Sequence, residues 1–180
     1  MKTLLAYYSN TGSNKYLGEK IARALSADIE AIKPRSNFFQ LLMFFSLTGA
    51  SAGIQVLDRK PENYNRIILC GPIWMGQLVS PLRDFLTKYR ENIKELHFVT
   101  CCASADAAKE MKFGHGLVFR KVQNILKDKC VSCDAFPIGM VLPENKQKDN
   151  NAILKTRLSD NNFSGEIQKR FENVVQRLAA

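Results

Sequence analysis

The sequence predicts an α/β fold: a three-layer, doubly wound sheet of five parallel strands in the order 2-1-3-4-5. Three observations carry this expectation. Short apolar runs of strand length alternate with segments whose apolar residues recur at helical spacing. The run RIILC at Arg66–Cys70 is apolar almost throughout, as a strand covered on both faces must be. And 180 residues suffice for one domain that buries roughly 70% of its unfolded surface without a disulfide or metal staple. Strands alternating with helices require right-handed crossovers and helices on both sides of the sheet. In such sheets ligands bind beyond the carboxyl ends of the strands, where the order reverses. The turns after strands one, three and four should therefore hold the chemistry.

The elements follow in order. Thr3–Tyr8 reads as the first strand. Lys2 before it suggests a signal peptide, but the apolar run stops at a polar turn and has no cleavage site, so a cytoplasmic protein is expected. After Ser9–Asn14, Leu17, Ile21 and Leu25 mark one face of a helix. Asp28–Lys33 reads as strand two and Arg66–Cys70 as strand three. After the turn Gly71–Gln77, Ser80 reads as an N-cap and Pro81 as the first residue of a helix striped by Leu82, Phe85, Leu86 and Tyr89. Leu96–Cys101 is strand four. Leu117, Val118, Val122, Ile125 and Leu126 mark the next helix, and Val131–Val141 contains strand five. Ile167, Phe171, Val174, Val175 and Leu178 form the apolar face of a closing helix.

Two segments fit less neatly. Phe38–Phe45 (FFQLLMFF) is the most apolar stretch. It reads as the helix between strands two and three, buried on one side. A membrane-surface or partner-docking helix is the competing reading, because apolar residues fall on nearly every face. Pro143–Ser164 is long and polar and reads as a surface excursion with a short helix near Ala152–Leu158. No window approaches the roughly 20 apolar residues of a transmembrane span.

Charge and cysteine content narrow the function. The net charge of +9 is spread along the chain, with no basic arm or tail. Nucleic-acid binding is not expected, since that excess would concentrate on one face. An acidic protein partner or an anionic small ligand suits it better. The five cysteines, Cys70, Cys101, Cys102, Cys130 and Cys133, are odd in number and partly embedded in apolar strands, which reads as reduced thiols. Cys130 and Cys133 have redox-pair spacing, but a lone pair is more often structural. His97 and His115 do not complete a zinc pattern, and no metal is expected.

The turn Ser9-Asn10-Thr11-Gly12-Ser13-Asn14 lies between a strand and a helix. It offers hydroxyls, amides, one glycine and free backbone N–H groups, and no carboxylate. That set suits a phosphate, which the helix dipole favours and glycine admits closely. A turn that only caps a helix is the plain alternative. The patterns G-x-x-x-x-G-K-[ST] and G-x-G-x-x-G are both absent. A phosphatase loop would need Cys and Arg after strand one. A phospho-accepting receiver would need Asp at the ends of strands one and three, where Tyr8-Ser9 and Cys70-Gly71 stand.

Here the sequence resembles the flavodoxin family. Ser9–Asn14 is similar to the family's FMN phosphate loop. Gly71-Pro72-Ile73-Trp74-Met75-Gly76-Gln77 is similar to the loop that lies along the flavin ring. The resemblance runs from Met1 to about Val141. It implies FMN as cofactor, with Trp74 and Met75 as ring contacts and Gly76–Gln77 as the peptide that reorients toward flavin N5 on reduction. Pro72 and Ile73 complete that loop, and Cys101, Cys102, Ala103, Ser104 and Asp106 are the candidates from the turn after strand four. Three departures stand out. Cys102–Asp106 lacks the Tyr or Trp that often covers the other flavin face. Gln77 stands where many members carry an acid. And the net charge is positive where the electron-shuttle members are acidic. The last two imply a less negative flavin potential, because reduction adds negative charge.

The leading expectation is an FMN-binding redox protein, either an electron carrier or an FMN-dependent oxidoreductase. No side chain need act as acid, so no catalytic residue is named. His115, between Gly114 and Gly116, could donate a proton, although a capping or surface role fits it better. The second expectation is an NAD(P)H-dependent quinone or flavin reductase on the same fold. The third is a non-redox module docking partners through Phe38–Phe45. Partners would be a redox protein or a small electron acceptor, NAD(P)H among the candidate reductants. A homodimer is compatible with all three.

Overall fold

A computed structural model describes residues 1–179. Five strands form one parallel sheet: β1 (Thr3–Tyr7), β2 (Asp28–Ala31), β3 (Arg66–Cys70), β4 (Leu96–Cys102) and β5 (Cys130–Pro137). Their spatial order is β2-β1-β3-β4-β5, as expected. The helices are α1 (Ser13–Ala24), α2 (Phe39–Thr48), α3 (Ser80–Tyr89), α4 (His115–Leu126), α5 (Asn150–Lys155) and α6 (Glu166–Ala179).

The period of two along each strand divides the core. Leu4, Ala6, Ile67, Leu69, Leu96 and Phe98 face Leu42 of α2, Leu82, Phe85 and Leu86 of α3, and Val118 and Val122 of α4. Leu5, Ile68, Val99, Cys101 and Phe136 face Leu17 and Ile21 of α1 and Ile167, Phe171, Val174 and Leu178 of α6. Strand β3 is apolar in sequence because both of its faces are covered.

Ser80 departs from the cap expected of it. It is the first helical residue of α3, and Val79 occupies the cap position without a side-chain bond. The Ser80 hydroxyl instead accepts from the N–H of Ala52 at 3.0 Å, and the Ser80 N–H donates to Ser46 Oγ at 2.9 Å. Asp84 accepts from the N–H of Gly53 at 2.8 Å. These bonds, with Arg83 donating to the Phe45 carbonyl at 2.9 Å, dock α2 and its trailing loop onto α3.

Helix α2 is the expected crossover helix, but it lies shallow. Only Leu42 and Ser46 are buried. Phe38, Phe39, Leu41, Phe44 and Leu47 are exposed, Phe44 by 57%. The Pro143–Ser164 excursion carries its short helix at Asn150–Lys155, started by Asp149, whose carboxylate accepts from the N–H of Asn151 and of Ala152. No helix among the described residues is long and apolar enough to cross a membrane.

At the amino ends of the strands sits a partly buried polar network. Arg66 Nε donates to Glu95 Oε1 at 2.7 Å, and the same oxygen lies 2.7 Å from His97 Nε2. His97 Nδ1 lies 2.8 Å from Ser132 Oγ, and Arg66 also reaches the Leu178 carbonyl of α6. This end is closed by ion pairing, which leaves the opposite end for ligands.

Candidate functional site

Strands β1, β3 and β4 are neighbours, so the turns that leave their carboxyl ends converge. The Tyr8 N–H donates to Cys70 O at 3.0 Å and the Gly71 N–H to Val99 O at 3.1 Å, which sets the three exits side by side.

The first turn is built around Gly12. Its φ of +98° is one that side-chain-bearing residues rarely adopt, and a Cβ there would face open space. Its N–H donates to Ser9 Oγ at 3.1 Å, closing the turn on itself. Asn10, Thr11 and Gly12 are exposed, and Ser13 and Asn14 are buried. Helix α1 then starts without a side-chain cap and without an acid in its first turn. Tyr16 N–H is bonded back to Gly12 O, but the N–H groups of Ser13, Asn14 and Lys15 meet no backbone acceptor among the described residues. A helix leaves these first donors free, and together with the dipole they form a site suited to an anion.

Ser13 and Asn14 are positioning residues. Asn14 Oδ1 accepts from the Cys101 N–H and Nδ2 donates to the Cys101 carbonyl. Ser13 Oγ accepts from the N–H of Leu158 at 3.1 Å and ties the turn to the excursion. The sequence lists both among the ligand candidates by spacing. The structure shows their side chains turned into the protein, so only their backbone N–H groups are left unbonded.

The second turn is a small hairpin. Ile73–Trp74 pairs antiparallel with Gln77–Leu78. Met75 and Gly76 both have positive φ, +49° and +68°, as a two-residue type I′ turn requires. Met75 stands 53% exposed at its tip. Trp74 is only half-exposed. Its indole packs edge-on against Phe39, centroids 5.1 Å apart, and against Tyr8 at 6.2 Å. The indole thus links the hairpin to β1 and α2. Pro72 and Ile73 are half-buried beneath it. Gln77 Oε1 accepts from Lys121 of α4.

The third turn begins later than the sequence suggests, since β4 runs through Cys102. Cys101 and Cys102 are buried. Burial pushes the Cys102 thiol up to about 11 and raises Cys101 and Cys70 as well. None of these is a nucleophile near neutral pH. Ala103 is exposed. Ser104 Oγ lies 2.9 Å from His115 Nδ1, and Asp106 pairs with Arg170 of α6. His115 is 2% exposed, against the surface role expected of it. It sits under the turn as a brace, and burial lowers its pKa.

One residue escaped the sequence reading. The segment that follows Asp106 turns back to the hairpin. A Cβ on Gly76 would lie 2.8 Å from Lys112 O and 3.1 Å from Phe113 Cα. Phe113, 53% exposed, therefore stands beside the Met75–Gly76 tip. The signal was present as an aromatic in the run 109–114 ending at Gly114, but its distance from the strand end hid it. On the other side of the third turn lies a cavity of about 590 Å³, bordered by Ala103, Ala105, Asp106, Pro137 and Met140.

No family model matches this sequence, and no curated protein matches it. Solved structures do. A flavoprotein from Lactobacillus acidophilus NCFM, solved in complex with FMN, is similar with a TM-score of 0.61 at 19% identity, covering 74% of this chain and 92% of that one. A flavodoxin from Streptococcus pneumoniae TIGR4 is similar with a TM-score of 0.52 at 10% identity, covering 99% and 98%. An NADPH-quinone reductase from P. pentosaceus is similar with a TM-score of 0.51 at 16% identity, covering 88% and 100%. With the strand order, these likenesses define a flavodoxin-like fold.

Proposed function

We propose that the chain binds FMN where the three turns converge and works as a redox protein that passes electrons through it. The observation that carries this reading is the uncapped, acid-free start of α1 behind Gly12, set one strand away from the hairpin tip where Met75 stands exposed. The phosphate would be held by the Ser13, Asn14 and Lys15 N–H groups and the Thr11 hydroxyl. The exposed Met75 and Phe113 would border the ring system; thioether and phenyl side chains both pack well on aromatic faces. Bound FMN would supply the electron-transfer chemistry, and the chain would supply position and electrostatics. Lys121, held at Gln77, favours the more negative, reduced state. The similar flavoprotein of L. acidophilus, solved with FMN, supports the assignment.

The visible spectrum of freshly purified protein tests it, followed by flavin release on denaturation. Replacing Thr11 with Leu should weaken FMN binding at least about tenfold, since an apolar side chain removes one phosphate donor and crowds the turn. Unchanged affinity would overturn the phosphate assignment, and colourless protein that takes up no added FMN would leave the non-redox docking role.

A second reading, an NAD(P)H-dependent quinone or flavin reductase, is favoured by the cavity of about 590 Å³ beside Ala103–Asp106, which has room for a second substrate. Steady-state NADPH oxidation with a quinone acceptor distinguishes it from a carrier.

A further inference from the structure

Cys130 and Cys133 lie at the start of β5, the edge strand. In a regular strand, residues three apart project to opposite faces. Here the ladder slips by one residue: Leu96 stands opposite Cys130, and His97 stands opposite Ser132. Val131 is the extra residue of a β-bulge. The bulge restores Cys130 and Cys133 to one face, where both pack against the core shared with Leu96 and Phe98. Their Sγ atoms lie 3.6 Å apart. Cys70, Cys101 and Cys102 are buried, and these two are not. With the bulge counted out, the pair behaves as alternate residues about 6.6 Å apart along the strand. That is within the span of about 4.4–6.8 Å that a disulfide bridges.

We propose that Cys130 and Cys133 form a thiol–disulfide exchange site whose substrate is a small anionic disulfide. The Cys130 thiolate attacks one sulfur of the small disulfide, forming a mixed disulfide and releasing one thiolate. Cys133 gives up its proton, and its sulfur attacks that of Cys130, breaking the mixed bond and releasing the second small thiol. Two protein thiols are oxidised by two electrons, and one small disulfide is reduced to two thiols. Cys130 is the entering thiol, because the hydrogen bond from Cys133 lowers its pKa while the same bond and burial raise that of Cys133. Beside Cys133 lies a pocket of about 290 Å³ that Lys109, Arg170 and Arg177 border together with Asp106 and Asp134. Arg170 pairs with Asp106 and Arg177 with Asp134. Lys109 has no such partner among the described residues, which suits a disulfide that carries carboxylates.

Oxidised glutathione added to the native protein tests the proposal. Two of the five thiols should disappear from a thiol titration. The tryptic peptide that spans Cys130 and Cys133 should lose the mass of two hydrogens. Cys133→Ser should trap glutathione on Cys130, whereas Cys130→Ser should form its adduct more slowly, as burial still raises the pKa of its remaining thiol. Deleting Val131 leaves Cys130 and Cys133 as alternate residues on one face of a regular strand, so the intramolecular bond should still form. The proposal is overturned if both thiols stay reduced in the native protein yet oxidise once it is unfolded, or if either joins another cysteine instead. The readout is mass, so it stands apart from flavin binding.

Discussion

Asn14 holds Cys101 by both ends of its carboxamide: Oδ1 accepts the Cys101 N–H at 2.8 Å, and Nδ2 donates to the Cys101 carbonyl at 3.0 Å. A side chain from the first site turn thus imitates a neighbouring strand for the last turn of β4. Asn14→Leu keeps the bulk but leaves both Cys101 groups unpaired in the interior. The expected loss is roughly 3 kcal/mol of stability, since each buried unpaired group costs about 1–3 kcal/mol. Denaturant melts of the two proteins check this. The same variant should loosen FMN, because the free N–H groups are aimed by this bond.

Gly76→Val should disturb the hairpin tip. The residue has φ +68°, and its Cβ would lie 2.8 Å from the Lys112 carbonyl. Strain of roughly 1–3 kcal/mol is expected from the backbone conformation alone. Because Gly76 is buried against the Lys112–Phe113 backbone, the cost should appear both as a lower Tm and as weaker FMN binding, measured by flavin fluorescence.

Lys121→Met should make the flavin midpoint potential more negative. The ammonium bonds Gln77, at the end of the hairpin beside the proposed ring site. A unit charge about 10 Å away contributes roughly 0.8 kcal/mol at an effective dielectric of about 40. That corresponds to roughly 35 mV for one electron, on the scale of 59 mV per tenfold. Potentiometric titration of both proteins gives the answer, and an unchanged potential would rule out this role.

Stability should fall as the pH drops below about 6.5, the ordinary histidine value. His97 has a lowered pKa, first because it is buried, with Arg66 and Arg177 adding to the effect. Glu95 pulls the other way, but its oxygen is shared with Arg66, so burial prevails. His115 is lowered for the same first reason. Between the folded and unfolded values the unfolded chain binds more protons, so acid favours unfolding. The stabilisation is complete above the unfolded value and is lost as the pH falls toward the folded one. Tm measured from about pH 7.5 to 5.5 should decline, and His97→Gln should flatten the slope.

The sheet order was legible because β3 and β4 are largely apolar runs, covered on both faces, and each is followed by a turn and a periodic helix. The Gly12 and Gly76 turns were legible because glycine at a strand exit has few other uses. What the sequence hid depends on distant neighbours. Ser80 looks like a cap until Ala52 and Ser46 arrive to claim it. Ser13 and Asn14 look like side-chain ligands until Leu158 and Cys101 take those side chains, which leaves their backbone N–H groups to the site. Phe113 looks remote from the site until the chain folds back on Gly76. A local pattern records which groups are available, not which partner reaches them first.

The extra residue at Val131 has a bearing on how molecules of this protein meet one another. β5 is a sheet margin, and a straight margin offers its unpaired peptide groups to any passing chain. The kink interrupts that row near its start, so a foreign strand could not lie flush along the whole edge. Straightening it would be expected to make the protein prone to stacking into aggregates as its concentration rises, even where each single molecule remained fully folded.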